Sequence, residues 1–84
     1  MKQYEYQLIH KHSGRIEWAR ATAAHAGIAR AQIVLSYGQQ FTVADLFADI
    51  NPPHKILGEI DCSGFPISDI EWLFKKAAAI ESTT

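Results

Sequence analysis

From Tyr4 to His12 the chain alternates between two kinds of position. Tyr4, Tyr6, Leu8, His10 and His12 fall on one side, Glu5, Gln7, Ile9 and Lys11 on the other. A period of two, mostly apolar against mostly polar, is that of a half-buried β-strand. The pattern resumes from Arg15 to Thr22, with Ile16 and Trp18 on one face and Arg15 and Glu17 on the other. His12-Ser13-Gly14 separates the two runs and carries turn chemistry. The spacing therefore predicts an antiparallel hairpin of strands 3–12 and 15–22. A two-residue loop would place Leu8 opposite Ala19 and split the apolar set. A three-residue loop, with Gly14 left-handed, sets Leu8 against Trp18 and gathers Tyr4, Tyr6, Leu8, Ile16 and Trp18 on one face. Because a one-residue slip would expose that whole set, the three-residue loop is expected.

Thr22 is a candidate N-cap for a helix over 23–37 that stops at Gly38. Ala24, Gly27, Ile28, Ala31, Val34 and Leu35 recur at helical spacing and form one stripe. Ala26, Ile33 and Tyr37 make a second strip on nearly the opposite side, so one side of this helix can cover the sheet and the other needs a second helix or a second molecule. Residues 39–53 admit two readings. Thr42 with Asp45 resembles a capping box, and Val43, Leu46, Phe47 and Ile50 follow helical spacing; this predicts an extended lead-in at Gln39–Phe41 and then a two-turn helix. The alternative is a strand within 40–50. Asn51-Pro52-Pro53 ends either version. Lys55 to Cys62 reads as a strand with Ile56, Gly58, Ile60 and Cys62 on one face. Ser68, three residues before Glu71, opens a helix over 69–80 with Ile70, Leu73, Phe74, Ala77 and Ile80 as its buried stripe.

These elements predict a two-layer α+β sandwich. A small antiparallel sheet, made of the hairpin and strand 55–62 and possessing in the alternative reading a strand within 40–50, is covered by helices 23–37 and 69–80. At 84 residues the chain suffices for one domain, taken as 1–80, with 81–84 as a frayed tail. Apolar residues at 48% and charged ones at 20% exclude wholesale disorder. A lone cysteine, Cys62, cannot form an internal disulfide, which suits a reducing cytoplasm. The sequence shows neither a run of apolar residues long enough for a membrane span nor a charged-then-apolar leader, so no membrane association is expected.

Net charge is −1, too small for a uniformly basic nucleic-acid coat. It is unevenly divided, +3 over residues 1–40 and −4 over residues 41–84. Lys11, Arg15 and Arg20 on the hairpin are thus the candidate phosphate contacts of a nucleic-acid-binding module, the alternative reading of function. His10 and His12 sit about 6.5–7 Å apart along one strand and supply two candidate metal ligands, where a closed zinc site needs four. Cys62 is a candidate nucleophile only with a histidine beside it, and no segment matches a catalytic motif. A Cys/His-dependent enzyme or metal site is the second alternative reading, and no catalytic residue, metal or cofactor is expected.

Trp72 stands off the apolar stripe of the last helix, with Lys75 and Lys76 nearby. Together with the second strip of the first helix, this points to protein contact. The expectation is a small non-enzymatic binding or regulatory protein meeting a protein partner or itself as a homodimer. Ile33, Tyr37, Trp72 and Lys76 are the candidate partner-binding residues.

Overall fold

The computed structural model of the protein describes residues 2–46 and 55–82. The chain order is β1 (Lys2–His10), β2 (Ile16–Ala23), α1 (Ala26–Tyr37), β3 (Phe41–Leu46), β4 (Gly58–Asp61), a 3-10 turn (Ile67–Asp69) and α2 (Ile70–Ser82). The strands form a four-stranded sheet in the order β3-β1-β2-β4. β1 runs antiparallel to both β2 and β3, whereas β4 runs parallel to β2. The two-layer α+β sandwich is as expected, but its sheet is mixed rather than wholly antiparallel. Both helices lie on one side, α1 against β1, β2 and β3, and α2 chiefly against α1.

The hairpin closes one residue wider than expected. Ile9 pairs with Ile16, Leu8 with Glu17 and Tyr6 with Ala19. The loop is therefore four residues, Lys11 to Gly14, closed by His10 N–H to the Arg15 carbonyl at 2.8 Å and Gly14 N–H to the His10 carbonyl at 2.9 Å. Gly14 does adopt the left-handed conformation, at φ 74°, which only glycine enters without steric cost. The shift moves Ile16 and Trp18 off the core face and puts Ala19, Ala21 and Ala23 there, all fully buried. Opposite them stand Tyr4, Tyr6 and Lys2, so large side chains on β1 meet small ones on β2. Alanines leave room for α1 to lie on the sheet, where a tryptophan would hold the layers apart. Close packing of layers, and not collection of the largest apolar set, decides the register.

Residues 41–46 are a strand, correcting the expected helix there. Phe41 pairs with His10 and Val43 with Leu8, which turns both apolar rings and branches inward at 5% and 6% exposure, while Thr42 faces out. Pairing with β1 supplies this backbone with hydrogen bonds that a two-turn helix could not match. The register shifts between Tyr6 and Leu8, marking a bulge in this edge pair. The remainder of the expected helix, 47–50, and Asn51-Pro52-Pro53 lie outside the described residues.

β2 continues through Ala23, so α1 starts at Ala26 with His25, not Thr22, at its N-cap. The Tyr6 hydroxyl donates to the Ala26 carbonyl at 3.0 Å and fixes this first turn to β1. Ser68 lies inside the 3-10 turn, which begins after Pro66 without a side-chain cap. α2 buries Leu73 and Ala77 and reaches Ser82, beyond the expected end at 80. Glu81 is accordingly helical rather than frayed, and residues 83–84 lie outside the described residues. Tyr6, Leu8, Ile33, Val34 and Leu73 are the largest wholly enclosed side chains, and they tie β1, α1 and α2 into one core.

Candidate binding surface

Strand alternation sends every second side chain away from the helices. On that outer face Ile9 of β1 stands directly opposite Ile16 of β2, and Trp18 follows two positions along. The Leu57 N–H donates to the Trp18 carbonyl at 2.7 Å, which sets Leu57 at the same level beside β2. Ile9, Ile16 and Leu57 are 37%, 53% and 46% exposed, and Trp18 is half-buried. Isolated exposed aliphatics are ordinary on a protein surface. A strip continuous across neighbouring strands is not. Among the described residues no helix covers this face.

A charged clasp flanks the strip. Arg20 donates from Nε and Nη2 to Glu5 Oε1, at 3.0 and 2.7 Å, and from Nη1 to Glu59 Oε1 at 2.7 Å. The register sets these residues side by side, Glu5 against Arg20 and Arg20 against Glu59, so one guanidinium ties β1, β2 and β4. Hydrogen bonds to Glu5 and then Glu59 hold its charge even more firmly than usual. Beyond it, Asp61 Oδ1 accepts the Ser63 N–H at 2.9 Å, and bonding from Ser63 keeps that carboxyl below its ordinary range.

The expected partner-binding residues are not brought together. Ile33 is fully enclosed, because α1 has the sheet beneath it and α2 beside it; its strip faces the core and not a partner. Tyr37 is half-buried, edge-on to Phe41 at 6.4 Å, with its hydroxyl over the position where a side chain on Gly58 would stand. A larger residue at 58 would therefore have to displace the Tyr37 side chain. Trp72, 54% exposed, and exposed Lys76 do share the outer side of α2, and Ile67 is exposed nearby in sequence.

The hairpin cations do not assemble into one patch. Arg15 donates from Nε to Glu17 Oε2 at 2.8 Å and its guanidinium lies 5.8 Å over the Phe41 ring, on the helix side. Arg20 is clasped on the opposite face, and Lys11 is exposed at the turn. His10 ends β1 whereas His12 lies in the turn, so the two are not on one strand; their rings are 5.9 Å apart. His10 Nδ1 accepts the Ser13 N–H at 3.2 Å and packs edge-on to Phe41. Among the described residues no three histidine, cysteine or acidic side chains gather where a metal could be held. Cys62 is buried, and burial followed by the neighbouring Asp61 charge pushes its thiol up, away from the nucleophilic thiolate.

Periodicity alone does not reveal the strip, because it assigns Ile16 and Trp18 to the inside. The available signal was the alternate alanines at 19, 21 and 23, which mark the opposite face of β2 as the one lying under a helix. Compared with protein-family models, curated proteins and solved structures, the chain matches none. Among the described residues no helix is long and apolar enough to cross a membrane.

Proposed function

We propose that this chain is a small non-enzymatic binding protein that acts through protein–protein contact on the outer face of its sheet. One observation carries the reading: Ile9, Ile16 and Leu57 are exposed together, at 37%, 53% and 46%, beside Trp18. Complete burial of an aliphatic side chain is worth about 1.5–3 kcal/mol. A partner that covers this half-open strip therefore gains a substantial apolar contribution, with a tryptophan at its edge of the kind that dominates interface energetics. Charged groups at the flank and none within the strip match the apolar centre and polar rim of protein interfaces. The neutral, buried Cys62 and the paired Arg15 and Arg20 lend nothing comparable to nucleophilic catalysis or phosphate binding. The unpaired cysteine suits a reducing compartment such as the cytoplasm.

Site-specific photo-cross-linking in the native host tests the reading. A benzophenone side chain at position 16 is expected to give discrete adducts, and one at the exposed Ser36 on α1 none. Absence of adducts from position 16, or the same adducts from both positions, overturns it.

A further inference from the structure

We propose that the tip of the β1–β2 hairpin is an acid-operated switch: the turn is pinned while the His10 ring is neutral and comes loose when that ring takes up a proton. The device is independent of the binding reading above, since it uses none of the apolar side chains of the outer face.

Three hydrogen bonds that shape the turn end on His10. Its backbone N–H donates to the Arg15 carbonyl at 2.8 Å, and its carbonyl accepts the Gly14 N–H at 2.9 Å. The third belongs to the ring. Nδ1 accepts the Ser13 N–H at 3.2 Å and stands 3.1 Å from the Ser13 hydroxyl. A backbone N–H can only donate, so Nδ1 must keep a free lone pair and the neutral ring must carry its proton on Nε2. A second proton therefore has to go to Nδ1. Donor then faces donor. The Ser13 hydroxyl can turn round and accept from the imidazolium, but the Ser13 amide cannot. Protonation thus releases this part of the backbone in particular. Lys11 stays anchored, because its N–H donates to the Gln40 carbonyl at 3.0 Å.

The groups around the ring push the same way. His12, in the turn, has its ring centroid 5.9 Å from that of His10. From β3 the Phe41 ring packs edge-on at 5.2 Å, and the Arg15 guanidinium lies 5.8 Å over that same ring. Lys11 is exposed next in sequence. The neighbouring carboxylate, Glu17, is engaged by Arg15 at 2.8 Å, and Tyr37 of α1 stands on Phe41 at 6.4 Å. A protonated His10 therefore shares Phe41 with one cation and sits beside two further basic residues. Like charges gathered at one tip oppose reclosure of the freed turn.

An NMR titration of the 15N-labelled chain from about pH 8 to about pH 5 tests the switch, on wild type, His10→Asn and His12→Asn. Asparagine places an amide oxygen one bond beyond Cγ, as histidine places Nδ1, and it accepts the same N–H without titrating. At the upper pH the wild-type His10 ring is expected as the single Nε2–H tautomer. On acidification the Ser13 amide proton is expected to move upfield in step with the His10 ring, and its exchange protection, relative to an unstructured peptide at the same pH, to fall several-fold. His12→Asn is expected to behave likewise, and His10→Asn to hold the neutral Ser13 signal throughout. A His10 ring protonated on Nδ1 at the upper pH overturns the proposal. So does a Ser13 amide that stays in place while that ring titrates, that still moves in His10→Asn, or that stops moving in His12→Asn. The tautomer and the Ser13 response of the unaltered chain decide the matter should either variant misfold.

Discussion

Arg30 of α1 grips Glu81 of α2 with two parallel hydrogen bonds, Nη1 to Oε1 at 2.9 Å and Nη2 to Oε2 at 2.8 Å. The fork–fork geometry ties the last turn of the chain's final helix to the first helix. Nη2 also reaches the Val43 carbonyl at 3.3 Å, so the same side chain touches the edge strand β3. Both partners are partly exposed, at 34% and 40%, which limits the pair to about 0.5–1 kcal/mol. Glu81→Gln is expected to lower stability by that amount in urea unfolding at pH 7, and Arg30→Ala by more, since it also loses Val43. Bonding to Arg30 keeps the Glu81 carboxyl below its ordinary value of 4.5. A depressed carboxyl stabilises above its unfolded value and loses that contribution as pH falls through the native one. The gap between wild type and Glu81→Gln should therefore narrow below pH 4.5 and close in stronger acid.

Tyr6 makes the opposite prediction at high pH. Burial pushes its phenol up to about 12 from 10.0, opposed by Arg30 and aided by Tyr4. The native state keeps this proton where the unfolded chain loses it, so stability is complete below pH 10 and is lost as pH rises towards 12. Tyr6→Phe removes the bond to the Ala26 carbonyl and is expected to cost about 1 kcal/mol at neutral pH. Its alkaline unfolding should then set in at higher pH than the wild type's, monitored by far-ultraviolet circular dichroism.

Ile33 and Trp72 should separate cleanly by thermal denaturation. Ile33 is wholly enclosed, and Ile33→Ala is expected to destabilise by about 2–5 kcal/mol through lost burial and an unfilled cavity. Trp72, 54% exposed, can be replaced by serine for about 1 kcal/mol or less.

Arg20 should control how firmly β4 is held. Amide exchange of Ile60 and Cys62, the latter bonded to the Thr22 carbonyl at 2.8 Å, is expected to accelerate several-fold in Arg20→Ala. Leu8, in the middle of the sheet, should change far less. Equal acceleration at both places would mean the clasp contributes only to global stability.

Much of this architecture could be read from local pattern. The end of α1 at Tyr37, the Leu73–Ala77 stripe of α2 and the left-handed Gly14 are each set by neighbours in the chain. The failures share a different cause. Thr42 and Asp45 carry a helix-start signal, yet Phe41 and Val43 are claimed by a β1 strand more than thirty residues earlier. The hairpin register turned on whether β2 should show its partner layer a tryptophan or alanines, a choice settled by how near α1 can lie. The outer strip depends on that register, so local pattern alone does not specify the candidate surface. Ile33 follows a related logic: of the two occupants its strip allows, a second helix or a second molecule, α2 is the one present, so Ile33 is a core residue and not a partner contact.

β4 comprises four residues, joined to the sheet along one side only, and the chain's single thiol follows immediately after it. Cys62 is shut away while that strand stays seated. Its alkylation rate is thus a built-in clock for detachment of the strand, read by mass spectrometry as the mass gained at one native residue.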